Sequence, residues 1–599
     1  MISRPSKAIW CAFTAFAAAL FLTVPAPAQE NDSGPTRVVV VISSTEALVA
    51  DLEHMVVELA GQQDKWDESV YPNIDIFLYG VDRERPIRFD QLIDGEGARR
   101  YQMLIPYSDL DEFIQDNLDP IGIIVDQTDN DETLYELEDV YEGWMRVDNE
   151  YAAFAEKDFI SDLPKELDEL LSKHDALLEL GYDIGIQLDN TETSVDDRRD
   201  GFANFRENVL AGVKKRPDET KEEYALRYAN SENSVETLEQ IYVESSDITV
   251  GIIIDGEKSE GRGDFRLTPV ADSELAKFVA TLAEEPSAFA GFQPADNAIL
   301  SGRLNFALDD MLKEQTLEIY ELSKPVAHQK IDATEGITDD QKAARKEISD
   351  TLFDLFSGVE EIGVWDGFVH VAPSESGLHT GLFAGKTAEG TKVDTIVELL
   401  PKGHEGFETE LNVDEAGDVK IHKVSMGEGY PNAFKEFFGD EGVFYVGTSQ
   451  GAVWLSIGDG ALDAMKEGID AVAAGGGEEN DRTILEADLN LLPVLKLMYQ
   501  LRQDGDFDLS ELLNKAAEES SSPEDETDEE EEPSETAQML KDFQWREAAI
   551  EALTGENDKL HILLERSEDG NLSGEGSSAP GILKMIGELI AKFADENLG

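Results

Sequence analysis

The hydrophobic pattern of residues 247–282 is the clearest structural signal in the chain. A β-branched run, Ile248–Ile254, is followed by a polar break through Gly263 and a second apolar run, Phe265–Val270. Apolar residues at helical spacing come next, at Leu275, Val279 and Leu282. Runs with strand character followed by a 3.6-residue period predict a strand, a hairpin, a second strand and a helix. We call this pattern a ββα unit.

Weaker forms of the ββα unit precede it. A strand at Val38–Ile42 leads into a helix for which Ser43 and Glu46 form a predicted capping box. The further predicted strands of this half are Ile74–Val81, Tyr101–Ile105, a run from Gly143, a run from Tyr151, and Tyr182–Leu188 ending before Asn190. The predicted helices are one capped by Ser108, one from Pro164 to Leu171, one containing Phe202, Phe205 and Val209, and one beginning at Pro217.

The same order of elements begins again near Leu300, which indicates an internal repeat. The predicted strands are those at Leu300–Leu304, Gly367, Gly381, Val443, Ala452, Thr483–Leu489, His561 and Leu572. The predicted helices include one capped by Thr338 and Gln341, Lys392–Leu400, Ala461–Val472 and Ile582–Phe593. We therefore predict an α+β fold of two tandem pseudo-repeats, residues 36–283 and 298–599, each an antiparallel sheet of ββα units with helices packed against it.

The N-terminus has the pattern of a secretory signal peptide. Arg4 and Lys7 precede an apolar stretch, Ile9–Val24, and the small-residue site Ala26-Pro27-Ala28. We expect a signal peptide at residues 1–28, with an uncleaved anchor as the alternative. Because Cys11 is the one cysteine in the sequence, the mature chain would be cysteine-free and could use neither disulfides nor cysteine metal sites. The expected location is secreted or periplasmic.

The chain is strongly acidic, which bears on its partners. The 599 residues carry a formal charge of −79, and loss of Arg4 and Lys7 with the signal makes it −81. Such a field disfavours nucleic acid and anionic lipid as partners. We expect a hydrated, soluble surface with at most loose divalent cation association and no transmembrane segment after the signal. Residues 518–535 are dominated by acids and serines and predict a disordered acidic insertion, with a calcium-binding or regulated tail as the alternative.

The motifs that resemble catalytic or binding sites are weak. Gly447–Gly451 matches GxSxG, but a strand pattern follows it where a nucleophile elbow needs a helix, so a hairpin turn is predicted. Gly381–Thr387 has the wrong spacing for a Walker loop, and Arg262-Gly263-Asp264 is predicted to be a hairpin turn. The acidic cluster at residues 126–131 and the one at 412–417 lack the terminal ligand of an EF-hand.

The histidines are scattered, without the spacing of a metal-binding pair. His370 and His379 lie on predicted paired strands and His422 could join them, but ordinary surface or core histidines are favoured over a metal site. We therefore assign no catalytic, cofactor-binding or metal-binding residue from the sequence, and no cofactor.

Four segments together resemble a group of uncharacterised exported proteins of planctomycete type. These segments are Arg216–Arg227, Ser246–Gly256, Pro269–Ala276 and Phe289–Pro294. The resemblance implies export and the duplicated α+β plan, and no activity. With the acidity, it favours a non-enzymatic binding or structural protein of the cell envelope or exterior. The alternatives are a secreted hydrolase that uses carboxylate chemistry on polysaccharide or peptide, and assembly through an added edge strand.

Overall fold

The computed structural model describes residues 36–93, 99–217, 219–427, 429–475, 482–503 and 544–597. The predicted signal peptide, Cys11 and the predicted insertion at 518–535 lie outside them. The strands are β1 (Thr36–Ile42), β2 (Ile87–Ile93), β3 (Arg99–Pro106), β4 (Ile123–Gln127), β5 (Leu134–Asp139), β6 (Gly143–Asp148), β7 (Tyr151–Glu156), β8 (Ile184–Asp189), β9 (Ser245–Asp255), β10 (Glu260–Pro269), β11 (Leu300–Ala307), β12 (Val364–Pro373), β13 (His379–Lys386), β14 (Phe407–Ala416), β15 (Val419–Met426), β16 (Val443–Thr448), β17 (Ala452–Gly458), β18 (Thr483–Asn490), β19 (Lys559–Arg566) and β20 (Leu572–Ser578).

Helices connect the strands at several points along the chain. The α-helices are α1 (Thr45–Glu53), α2 (Gln63–Lys65), α3 (Tyr71–Asp75), α4 (Leu110–Glu112), α5 (Asp168–Ser172), α6 (Asp175–Leu178), α7 (Val195–Gly212), α8 (Lys221–Glu244), α9 (Glu274–Thr281), α10 (Asp310–Ala333), α11 (Asp339–Ile362), α12 (Val393–Gly403), α13 (Asn432–Phe438), α14 (Ala461–Ala474), α15 (Leu491–Gln503), α16 (Gln544–Leu553) and α17 (Pro580–Asn597). Wider π-helical turns are His54–Leu59, Trp66–Val70 and Phe113–Leu118, and tighter 3₁₀ turns are Ile76–Leu78, Asp119–Ile121, Lys157–Asp162 and Gly390–Lys392.

All twenty strands join in one antiparallel sheet, which confirms the α+β class. Its order is β4-β5-β6-β7-β3-β2-β1-β8-β9-β10-β20-β19-β18-β11-β12-β13-β17-β16-β15-β14. The first ten strands and the last ten pair in the same scheme. For example, β1 lies between β2 and β8, and β11 lies between β12 and β18. The two sets do not interleave, and they meet where β10 pairs with β20.

Packing also joins the two halves away from the sheet. Leu267, Leu275 and Val279 of the first half share a core with Ile484 and partly buried residues of β19 and β20. Helix α17, at the end of the chain, packs with Ala591 and Ala594 against Val56 and Trp66 of the first half. Burial of these apolar side chains at the junction stabilises the joined form over separate halves.

The predicted strand Ile74–Val81 is wrong. Residues 71–78 are helical, with a proline in the first turn of α3, and the true partner strand is β2 at Ile87–Ile93. β2 was missed because Arg88 and Asp90 are buried on it, and charged inward positions hide the alternation of a strand. Two polar hairpins, β4–β5 and β14–β15, were also missed, as their sequences carry acids on the exposed face.

Several predicted caps and turns need correction. Helix α1 is capped by Ser44, and not by Ser43 with Glu46. Helix α4 is capped by Asp109, and not by Ser108. The helix expected from Pro217 begins after Thr220, which forms a capping box with Glu223. The capping box of Thr338 and Gln341 is confirmed. Arg262-Gly263-Asp264 is not a hairpin turn, because it lies within β10 and pairs on both sides, with β9 and with β20.

The β14–β15 hairpin contains a wide bulge. The register shifts between Glu410 and Asp414, so that Leu411, Asn412 and Val413 occupy the place opposite His422. Asn412 has a φ of 52°, and its backbone N–H donates to Nδ1 of His422 at 3.2 Å. The bulge interrupts the outer edge of β14.

Candidate functional site

A row of three polar residues crosses the strands β11, β12 and β13 on one face of the sheet. Asn305 pairs with Asp366, and Lys386 lies across from Asp366 one step beyond the Gly367–Gly385 pair. Asn305 and Asp366 are 8% and 6% exposed. All three line the same cleft. Buried polar side chains cost free energy unless they are hydrogen-bonded, so the partners of this row define its role.

Two members of the row hold the connection between the halves. The carboxylate of Asp366 accepts hydrogen bonds from Oγ of Ser287 at 2.5 Å and from the backbone N–H of Ala288 at 2.6 Å. Nδ2 of Asn305 donates to the carbonyl oxygen of Glu285 at 2.7 Å. Burial raises the pKa of Asp366, and the hydrogen bonds from Ser287 and Ala288 and the charge of Lys386 oppose that effect in part. The connecting segment is thereby fixed as one wall of the cleft.

The cleft lies at the junction of the two halves and encloses about 890 Å³. We call it the seam cleft. Helices α7, α8 and α9 of the first half line one side, and strands β11–β13 with the start of α10 line the other. Its apolar lining includes Val243, Phe278, Leu308, Met311 and Val364. Charged and polar side chains make up the rest of the lining, so the cleft combines apolar walls with many polar groups. A concave site of this size can hold a small ligand.

The cations of the seam cleft fall into two groups. Arg199, Arg206 and Lys277 form ion pairs with neighbouring carboxylates, the closest at 2.6 Å between Lys277 and Glu274. Lys313 and Lys386 are half-buried, and among the described residues neither has a carboxylate oxygen within 4.0 Å. Each has a buried acid in Coulomb range instead, Glu360 for Lys313 and Asp366 for Lys386. The Nζ groups of these two lysines therefore form no ion pair within the described part of the chain.

A second buried carboxylate lies on β2 in the first half. Asp90 pairs with Val39 on β1 and with Gln102 on β3. Arg37 donates to Asp90 at 2.9 Å, and Nε2 of His174 lies 3.0 Å from its second oxygen, a close contact without good hydrogen-bond alignment. Burial would raise the pKa of Asp90, but His174 and Arg37 outweigh it and the pKa is lowered. The three side chains are almost wholly buried, so we assign them a structural role.

The GxSxG sequence forms a hairpin turn between β16 and β17, as predicted. Oγ of Ser449 is buried and donates to the carbonyl of Ala452 at 3.3 Å, so it lacks the exposure of a nucleophile.

Ser449→Ala should therefore leave hydrolytic activity unchanged and cost no more than about 1 kcal/mol of stability, because one net hydrogen bond is lost. Hydrolysis of p-nitrophenyl acetate and thermal unfolding measure the two effects. Loss of activity in a variant with the wild-type melting temperature would contradict the assignment as a turn.

The three histidines singled out in the sequence do not come together. His370 pairs with Leu382 and His379 with Pro373, so they are three pairs apart along their hairpin. His379 contacts the carbonyl of Phe437 at 3.1 Å, while His422 lies on β15. No group of three potential metal-ligating side chains occurs in the part of the chain that the structure describes.

His422 belongs to a buried polar cluster that does not have the geometry of a catalytic triad. Its Nε2 lies 3.1 Å from Asp394 and 3.2 Å from Oγ1 of Thr448, and Thr448 donates directly to Asp394 at 2.6 Å. A triad needs the acid on Nδ1 and the nucleophile on Nε2. Here Nδ1 accepts the N–H of Asn412, so the cluster fixes the bulge of β14 instead.

Asp51 is a carboxylic acid of the first half whose pKa is strongly raised. Burial raises its pKa to about 6, and the charge of Asp183 adds to that effect, while His54 and the N–H of Gly256 oppose it. His54 contacts Ser259 at 2.9 Å. Perturbed carboxylates occur at catalytic sites, so this cluster is the second candidate site.

Local sequence could not reveal the seam cleft, because its residues come from positions 199–386 in separate elements. The one available signal was Asn305 and Asp366 within otherwise apolar strands.

Among the described residues, no helix has the length and hydropathy needed to cross a membrane. Comparisons of the chain with protein-family models, with curated proteins and with solved structures give no match.

Proposed function

We propose that this protein is an exported, non-enzymatic binding protein of the cell envelope or exterior, and that its ligand occupies the seam cleft. The observation that carries the proposal is the cleft itself, about 890 Å³ with polar and apolar lining and two lysines that form no ion pair among the described residues. Both oxygens of Asp366 are engaged by Ser287 and Ala288, so this carboxylate holds the connecting segment in place.

The predicted duplication is part of the same proposal. Two tandem pseudo-repeats, residues 36–283 and 298–599, are supported by the matching strand pairing of the two halves. The resemblance to exported planctomycete-type proteins fits export but identifies no ligand.

The test is retention of small molecules by the mature protein. The purified protein is incubated with a small-molecule extract of its own cells, desalted and analysed by mass spectrometry. Ala307 lines the cleft, so Ala307→Trp should fill it and abolish retention. The matched control Ala50→Trp changes an exposed position on α1 and should retain what the wild type retains. Equal retention by all three proteins, or none by the wild type, would overturn the proposal.

A second candidate function is hydrolysis, with Asp51 as the general acid. A carboxyl with a pKa of about 6 can donate a proton near neutral pH, and Asp183 is a second carboxylate nearby. Asp51→Asn should then abolish hydrolysis of a polysaccharide panel while the protein stays folded. Wild-type protein that hydrolyses none of the panel would leave Asp51 as a structural residue.

A further inference from the structure

We infer that the ligand of the seam cleft is a short peptide-like zwitterion, whose acidic end lies between Lys313 and Lys386 and whose amino end faces an acidic rim. The inference rests on the proposed function and adds the class of ligand. It is drawn from the positions of charged groups around the cleft and from the charge of the whole protein.

The two lysines mark one end of the site. Nζ of Lys313 lies against Gly363, since a Cβ built on that glycine would be 2.9 Å from it. Lys386 lies beside Asp366. Gly363 and Asp366 are three residues apart, about 10 Å along an extended chain. A ligand carboxylate at this end of the cleft could accept a charge-assisted hydrogen bond from one ammonium group and lie in Coulomb range of the other.

The rim of the cleft has the opposite charge. Glu284, Glu285 and Asp310 line the opening and are exposed, and no ion pair engages them in the described part of the chain. Glu284 and Glu285 belong to the connecting segment that Asp366 and Asn305 hold in place. The backbone that carries these two carboxylates is therefore held at a fixed position in the cleft wall.

The charge of the whole protein decides between ligand classes. A simple anion would be attracted by the lysines but repelled at longer range by a net charge of −79. A simple cation would be attracted to the rim but would meet Lys313 and Lys386 inside. A molecule with one acidic and one basic end experiences little net repulsion and matches both regions. The cleft also has apolar lining residues, among them Phe278 and Met311, which suit a short chain with small side chains.

Isothermal titration with tetra-alanine, its C-terminal amide and its N-acetyl form tests the inference. The free peptide should bind, and amidation should weaken binding about tenfold or more because a charge-assisted contact is lost. Acetylation should weaken it less, because the rim is exposed to solvent. Lys313→Met and Lys386→Met should each reduce affinity for the free peptide about tenfold. Lys324→Met, on the same helix as Lys313 but paired with Glu321, should not.

The outcomes separate this inference from the proposed function. Binding that Ala307→Trp abolishes but that amidation and the lysine variants leave unchanged would overturn the zwitterion and keep the cleft as the site. No binding of any tetra-alanine form at millimolar concentration would also overturn the zwitterion, while the retention experiment judges the cleft independently. Tighter binding of the N-acetyl form than of the free peptide would indicate an anionic ligand instead.

Discussion

Replacing Asp90 by alanine should lower the free energy of unfolding by about 3–5 kcal/mol, because it would leave Arg37 and His174 buried without their shared carboxylate. Urea unfolding followed by circular dichroism measures the change. Asp255→Ala is the matched control, since Asp255 pairs with the exposed Lys258 and accepts its backbone N–H, and its loss should cost no more than about 1 kcal/mol. Equal midpoints for the two variants would contradict the structural role of the buried cluster.

The pH dependence of the same variant provides an independent check. The pKa of Asp90 is lowered in the folded protein. Its stabilisation is therefore fully present above the unfolded carboxyl pKa of about 3.9 and is lost as the pH falls through the lower folded value. The difference between wild type and Asp90→Ala should narrow below about pH 4. The triple variant Arg37→Met, Asp90→Leu and His174→Leu should recover most of the lost stability at neutral pH, because no buried charge is left unpaired.

Replacing Gly587 by alanine should weaken the packing of α17 against the first half of the chain. A Cβ at Gly587 would lie 2.1 Å from the carbonyl oxygen of Met55 and 3.0 Å from the backbone nitrogen of Val56. Backbone atoms cannot rotate away as a side chain can, so the helix must shift. We expect a loss of about 1–3 kcal/mol, the usual range for overpacking. Hydrogen exchange should increase in residues 54–70 and 580–597 above the rest of the chain.

Gly358 in α11 provides the control for this substitution. A Cβ there would meet only the Cβ of Ala388, at an ordinary 3.5 Å. Gly358→Ala should therefore be neutral, or stabilise the protein by about 0.4–1 kcal/mol, because alanine lowers the conformational entropy of the unfolded chain. Equal stability of Gly587→Ala and Gly358→Ala would contradict the close packing of α17 against the backbone of Met55 and Val56.

The strands predicted correctly from the sequence include those with long apolar runs. Val38–Ile42 and Ile248–Ile254 are central in the sheet, and runs of β-branched residues fit such positions. The edge hairpins escaped prediction because strands such as β5, with the sequence LYELED, carry as many acids as apolar residues. β2 escaped because its buried Asp90 is satisfied by Arg37 and His174, which are distant in sequence.

The candidate site was beyond local analysis for a different reason. Lys313 and Lys386 look like ordinary surface lysines in the sequence, and only packing shows that they are half-buried without close carboxylates. Asp366 follows Trp365 in a strand pattern. Nothing in the sequence of that strand indicates that Asp366 is buried or that it accepts hydrogen bonds from Ser287 and Ala288. A site made between helices of one half and strands of the other has no short motif.

The bulge in β14 bears on whether copies of this protein can join through their sheet edges. The sheet ends at β4 and β14, each with a single strand neighbour among the described residues, and open edges recruit strands from other molecules into fibres. Leu411–Val413 interrupts one edge, and exposed Glu408 and Glu410 place negative charge beside it. Salt would then have opposite effects on two processes. It would relieve repulsion within one folded molecule, and it would also weaken the repulsion that keeps sheet edges of neighbouring molecules apart.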